Sequence, residues 1–156
     1  MNREDIIRLY KAIETEKSKG NIKFKYAILK NKGVIKDEID ALLKVEEDIE
    51  KILQPFNEER NNLIKEIGTL DTEKNSYLIK TDDTEKVSEF NKRIKELKEK
   101  YKDEINEHNN KLTEYKDLLT KKLDKSFVFE EINIENCPED LETNSLEVFM
   151  KFNIIK

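Results

Sequence analysis

Between Ile22 and Ile67 the apolar residues Ile28, Ile35, Leu42, Ile49, Phe56 and Leu63 recur every seven positions, with Ile39, Leu53 and Ile67 at companion positions. This heptad predicts a long helix that buries a narrow stripe against one partner helix. Gly33 and Pro55 interrupt it. Proline lacks an amide donor and crowds the preceding turn, so a kink is expected near Gln54, with Phe56 keeping the apolar phase. A second stripe runs through Val87, Phe90, Ile94, Leu97, Tyr101, Ile105, His108, Leu112, Tyr115, Leu119 and Leu123 at a mean spacing of 3.6. It predicts an amphipathic helix from Thr84 to about Leu123 with one apolar residue per turn. The short link from Gly68 to Asp83 forces the two helices to run antiparallel. Within it Tyr77, Leu78 and Ile79 could make a short strand, and Asp82 with Glu85 reads as the cap of the second helix.

The flanking segments are shorter and more mixed. Asn2, with Glu4 and Asp5 behind it, should cap a first helix whose apolar face is Ile6, Leu9, Tyr10 and Ile13 and whose stop is Gly20. Such a helix is too short to stand alone and must dock. Asn21 to Tyr26 alternates like a strand for four residues, but Ala27, Ile28 and Leu29 break the alternation, so it reads as a helix start. After Ser126, Phe127 to Phe129 and Ile132 to Ile134 read as one bulged strand or two short ones, ended by Pro138. Asn144 with Glu147 should cap a last helix carrying Leu146, Phe149 and Met150. The expected fold is mainly α. It is one domain over residues 1–156, with a coiled-coil-like antiparallel hairpin over 22–123. Residues 1–20 and 126–156 pack together as a small α+β head.

Composition sharpens this picture. The chain has 156 residues, 42% of them charged and only 36% hydrophobic, which suits a highly solvated helical protein rather than a compact globule. The net charge is −5, but Lys17 to Lys36 holds seven lysines and no acid, which leaves −12 on the remainder. Such polarisation could meet phosphates or an acidic protein. Arginine, the better bidentate phosphate ligand, is absent from that stretch, which favours a solvated face. No apolar run approaches the ~18 residues that span a bilayer, and the first residues have no signal-peptide character. The expected setting is soluble and intracellular, with no membrane partner.

The chemistry is sparse. His108 is the only histidine and Cys137 the only cysteine, so zinc sites built on several His or Cys ligands and His-paired nucleophiles are excluded by counting. His108 is expected on the helix seam, partly buried and bonded to a carboxylate or backbone group. Acidic pairs such as Glu130–Glu131 read as solvated faces. Three glycines cannot assemble a phosphate-cradling loop, and no aromatic-interleaved basic strand of the RNA-binding kind is present. No catalytic, cofactor or metal residues are therefore assigned, and nucleic acid is not the expected partner.

Several segments together carry a resemblance: Lys23-Phe24-Lys25-Tyr26-Ala27-Ile28, Phe56-Asn57-Glu58-Glu59-Arg60, Tyr77-Leu78-Ile79, and Phe90-Asn91-Lys92 opening the second long helix. In this order of parts the chain resembles a group of small, uncharacterised helical proteins of tailed bacteriophages and prophages of A/T-rich bacteria. The resemblance implies a viral setting, in the host cytoplasm or the virion, and no catalytic residues. The leading expectation is a non-enzymatic virion or assembly component or scaffold. Its rigid hairpin would set distance, while a Phe-rich head docks a protein partner, which could be another copy of the chain. Lys23, Lys25, Lys30, Lys32, Phe127, Phe129 and Phe149 are the candidate partner-binding residues. The alternatives are an inhibitor of a host defence or nucleic-acid enzyme, and a small-ligand binder or enzyme built around Cys137 and Glu130–Glu131.

Overall fold

The computed structural model describes every residue from Met1 to Lys156. It is mainly helical, with α1 (Arg3–Glu16), α2 (Ile22–Ile52), α3 (Gln54–Ile67), α4 (Thr84–Lys100), α5 (Lys102–Thr120) and α6 (Thr143–Lys151). The only sheet is a two-stranded antiparallel ladder of β1 (Thr69–Asp71) and β2 (Ser76–Leu78), with Leu70 opposite Tyr77. The chain divides into two compact units, Met1–Val45 with Tyr115–Lys156, and Glu46–Glu114.

The first unit holds the main core. Ile6, Leu9 and Ile13 of α1, Phe24, Ile28 and Ile35 of α2, Phe149 of α6, and Ile132 and Ile154 are all buried in one cluster. These α1 residues follow the 3- and 4-residue spacing that puts them on one helix face. Asn2 caps α1 as expected: its side-chain oxygen accepts the Asp5 N–H at 2.9 Å, and the Asp5 carboxylate accepts the Asn2 N–H at 3.1 Å. After α1 the backbone turns through Gly20, whose φ of +75° lies in the left-handed region. An added Cβ there would stand 3.0 Å from the Phe24 ring. The segment from Asn21 onward is helix, and the Asn21 side chain accepts the Phe24 N–H at 3.0 Å.

Three expectations for the C-terminal part are corrected. Phe127 to Phe129 and Ile132 to Ile134 form no strand, and the first unit contains no sheet, so the head is not α+β. A strand needs a neighbour along its length, whereas here only a single bridge links Ile132 to Ile155. Just upstream, the backbone N–H and C=O of Glu130 are taken by the Asn31 side chain, at 2.7 and 2.9 Å. Residues 134 to 136 form a short 3-10 turn. Finally, α6 starts at Thr143 behind Glu142, not Asn144, and has no side-chain cap. The Glu142 N–H reaches the buried carboxylate of Glu16 at 3.3 Å, so packing against α1 sets where α6 begins.

In the second unit the break at Pro55 is a full helix boundary: α2 ends at Ile52, Leu53 leaves the helical region, and α3 resumes with proline in its first turn, where a missing N–H costs nothing. A second boundary at Tyr101, with φ −104° and ψ 25°, divides the helix expected from Thr84 to Leu123. No Gly or Pro marks it. The cap of α4 is Asp83 rather than Asp82, its side chain accepting the Lys86 N–H at 3.1 Å. Between α3 and α4, Glu66 meets Arg93, Glu59 meets Lys100, and Phe56 meets Tyr101 edge-on at 6.0 Å. Numbers that fall along one helix as they rise along the other show that α3 and α4 run in opposite directions. Gly68 closes α3, where an added Cβ would collide with the Ile64 carbonyl.

Candidate functional site

The seven lysines between Lys17 and Lys36 look like a uniform basic patch in sequence, but folding brings acids to most of them. Lys17 and Lys32 both bind Glu14, at 2.6 and 2.7 Å, and Lys30 binds Glu130 at 2.6 Å. Lys19 lies 3.1 Å from Glu16, and Lys36 lies 2.6 Å from Asp40. These contacts are reflected in the titration of the groups. The hydrogen bond to Glu130 holds the Lys30 ammonium above its ordinary range, and the bond to Glu14 does the same for Lys32. Hydrogen bonds from Lys17 and Lys32 hold the Glu14 carboxyl below its own. Lys23 and Lys25 have no carboxylate within ion-pair distance, which leaves two unpaired charges of the seven.

The aromatic candidates divide by depth. Phe149 is fully buried in the core. Phe127 and Phe129 are half-buried, stacked with ring centres 6.2 Å apart, and Phe129 meets Phe152 edge-on at 6.2 Å. All three phenylalanines pack on the core of the first unit.

Exposed apolar surface lies elsewhere. Ile22 is 84% exposed and Tyr26 64% exposed, and Leu29 follows them on the surface. Spacings of four and three put these residues on one face of α2, a different face from that of Ile28 and Ile35. Ile22, Lys23, Tyr26 and Ala27 form one wall of a groove of about 510 Å³, and Glu130 to Asn133 with Asn136 form the other. Ala27 and Ile132 are buried at its base. The second wall is held in place by Asn31, itself fully buried, through its paired bonds to the Glu130 backbone.

Of the groove's first wall only Lys23 is among the residues expected to bind a partner; Ile22 and Tyr26 are not, nor is Asn31 behind them. For the first two a signal existed: large apolar side chains on a helix, out of phase with the heptad, next to a lysine. Nothing in the sequence marks Asn31, because its partner lies 99 positions away.

The remaining chemical candidates stand apart from one another. The Cys137 thiol is pushed up by burial, and its Sγ lies 4.0 Å from the Asn133 carbonyl. Glu131 is paired with Lys156 at 2.5 Å. His108 is half-buried in the second unit, beside Glu47, Glu50, Gln54 and Glu58 in a groove of about 480 Å³. Contrary to expectation, its ring makes no hydrogen bond. No group of three or more His, Cys, Asp or Glu side chains is arranged to hold a metal ion. No helix is long and apolar enough to cross a membrane. No protein family, curated protein or solved structure matches the chain.

Proposed function

We propose that this chain is a non-enzymatic protein-interaction module, and that it docks a protein partner through the surface at the start of α2. The observation that carries the reading is the exposed face of Ile22 and Tyr26, 84% and 64% accessible, beside the unpaired Lys23. Large side chains cost solvation when left bare on an otherwise heavily charged surface, and a contiguous set of them marks a contact site. The docking role shifts from the phenylalanines to this face, since Phe149 is occupied in the core.

The long helices serve as spacer in this proposal. Residues 22–67 and 84–123 pair their stripes as an antiparallel helical hairpin. In support, every position of the second stripe is buried or half-buried, and α3 and α4 run in opposite directions. The setting suggested by the resemblance is a tailed bacteriophage or prophage, with the chain as a virion or assembly component.

The test places a photoreactive phenylalanine analogue at Tyr26 of the full chain, produced in the cells or particles it belongs to. A control carries the same analogue at Lys74, an exposed residue of the second unit. A single protein adduct at position 26 and none at position 74 is the expected result. Equal labelling at both positions, or none at either, would overturn the reading. An adduct with a structural protein of purified virions would support the viral setting.

A further inference from the structure

The geometry points to a specific occupant for the groove beside α2: an extended acidic segment of a protein partner, added as a strand along Glu131 to Asn133. This inference rests on the interaction reading above and names the mode of docking. Three independent observations meet at the site.

The first is an extended backbone edge, one bridge long. The Ile132 N–H donates to the Ile154 carbonyl at 2.6 Å, the Lys156 N–H to the Ile132 carbonyl at 3.1 Å, and the Ile134 N–H to the Lys156 carbonyl at 3.0 Å. One edge of this segment is thus already paired in strand fashion. Alternation along a strand sends the backbone groups of the intervening residues to the opposite edge. There the N–H and C=O of Glu131 and the N–H of Asn133 have no partner within the chain. Edge strands with free backbone groups are templates for another extended segment.

The second is apolar surface. Ile22 and Tyr26 rise from the opposite wall, and Ala27 and Ile132 form the base. Alternate side chains of an added strand would face them, since successive residues of a strand point to opposite sides.

The third is charge. Of the two carboxylates in the groove wall, Glu130 is neutralised by Lys30 and Glu131 by Lys156. Lys23, on the other wall, has no acid within ion-pair distance and is the one unpaired charge lining the groove. An acidic side chain on the incoming segment meets it. Symmetric pairing of two copies through this edge would bring Lys23 no free acid, because the groove glutamates of each copy are already paired.

The test selects binders to the full chain from a random twelve-residue peptide library and follows them by NMR. Enriched peptides should alternate apolar residues with Asp or Glu. They should shift the Glu131 and Asn133 amide signals and slow the exchange of those two amides at least tenfold. Lys23→Glu should weaken such peptides at least tenfold, and so should methylation of alternate peptide nitrogens. Both Lys23 and Tyr26 are exposed, so circular dichroism of Lys23→Glu and Tyr26→Asp should match the parent and exclude misfolding as the cause.

Basic consensus peptides, no enrichment, or peptides that leave the two amides unchanged would overturn the inference. Protection of both amides in a peptide-free dimer would overturn it as well, by assigning the edge to a second copy. Failure here with a specific adduct at position 26 would leave the interaction reading standing and remove only strand addition.

Discussion

At the scale of single residues, Asn31 anchors the Glu130 backbone to α2. It is fully buried and satisfies both backbone groups of Glu130 with one amide. Asn31→Ala would leave the half-buried amide and carbonyl of Glu130 without a partner in the chain. A fully buried group left unpaired costs about 1 to 3 kcal/mol, and Glu130 is half-buried, so the variant should lose roughly 2 to 4 kcal/mol over the two groups in denaturant unfolding. It should also expose the Glu130 amide to fast exchange. Lys30→Ala removes only a solvent-screened ion pair to the same residue and should leave the unfolding midpoint nearly unchanged. Equal losses for the two variants would show that Asn31 is not the anchor. A third residue, Glu14, ties stability to pH. Its carboxyl titrates below the ordinary value of 4.5 because Lys17 and Lys32 hydrogen-bond it. A depressed folded-state value contributes stability above the unfolded value, and the contribution is lost as pH falls through the folded one. The parent should therefore lose melting temperature below about pH 4.5 more steeply than Glu14→Gln, and identical slopes would show that the pairs contribute nothing.

At the scale of elements, two glycines that look alike in sequence should respond oppositely to alanine. Gly33 lies inside α2 with nothing within 4 Å of an added Cβ, so Gly33→Ala gains helix propensity and should stabilise by up to about 1 kcal/mol. Gly20 has φ +75°, and its added Cβ would crowd Phe24. Gly20→Ala should destabilise by about 1 to 2 kcal/mol. Thermal unfolding of the two variants checks both signs. These elements also show what was legible in the sequence. The heptad of α2 and α3 and the stripe of α4 and α5 were readable, because helix burial is periodic and each apolar residue reports its own face. The Asn2 cap was readable because it is a local bond. What escaped depends on distant partners. Tyr101 ends α4 with no local breaker, and its hydroxyl reaches Glu59 at 2.6 Å, 42 positions away. Phe127 and Phe129 have strand-like chemistry but spend it as packing, because Asn31 takes the Glu130 backbone that a neighbouring strand would need. The docking surface escaped for a related reason. A lysine run reads as a patch until Glu14, Glu16 and Glu130 arrive to neutralise it.

At the scale of the whole molecule, burial is distributed unevenly, and resistance to local opening should follow it. The first unit buries Ile6, Leu9 and Ile13 of α1 together with Phe24 and Phe149. In α4 no residue is buried, and its stripe is half-covered throughout. Covering a large apolar side chain fully contributes about 1.5 to 3 kcal/mol, and a half-covered one proportionately less. Local opening draws on the least-buried elements first. Native-state hydrogen exchange under increasing denaturant should therefore show the α4 amides opening well below the free energy needed to expose α1. Phe24→Ala supplies a second reading of the same asymmetry. It empties the core of the first unit and should cost about 3 to 5 kcal/mol there, seen as a collapse of α1 protection toward that of α4. Uniform protection across both helices in the parent, or α1 amides left unmoved by Phe24→Ala, would refute the uneven distribution. The expected pattern also suits the proposed role. A firm core beneath Ala27 and Ile132 keeps the groove walls in register for a partner, while the solvated helices need only enough cover to stay helical.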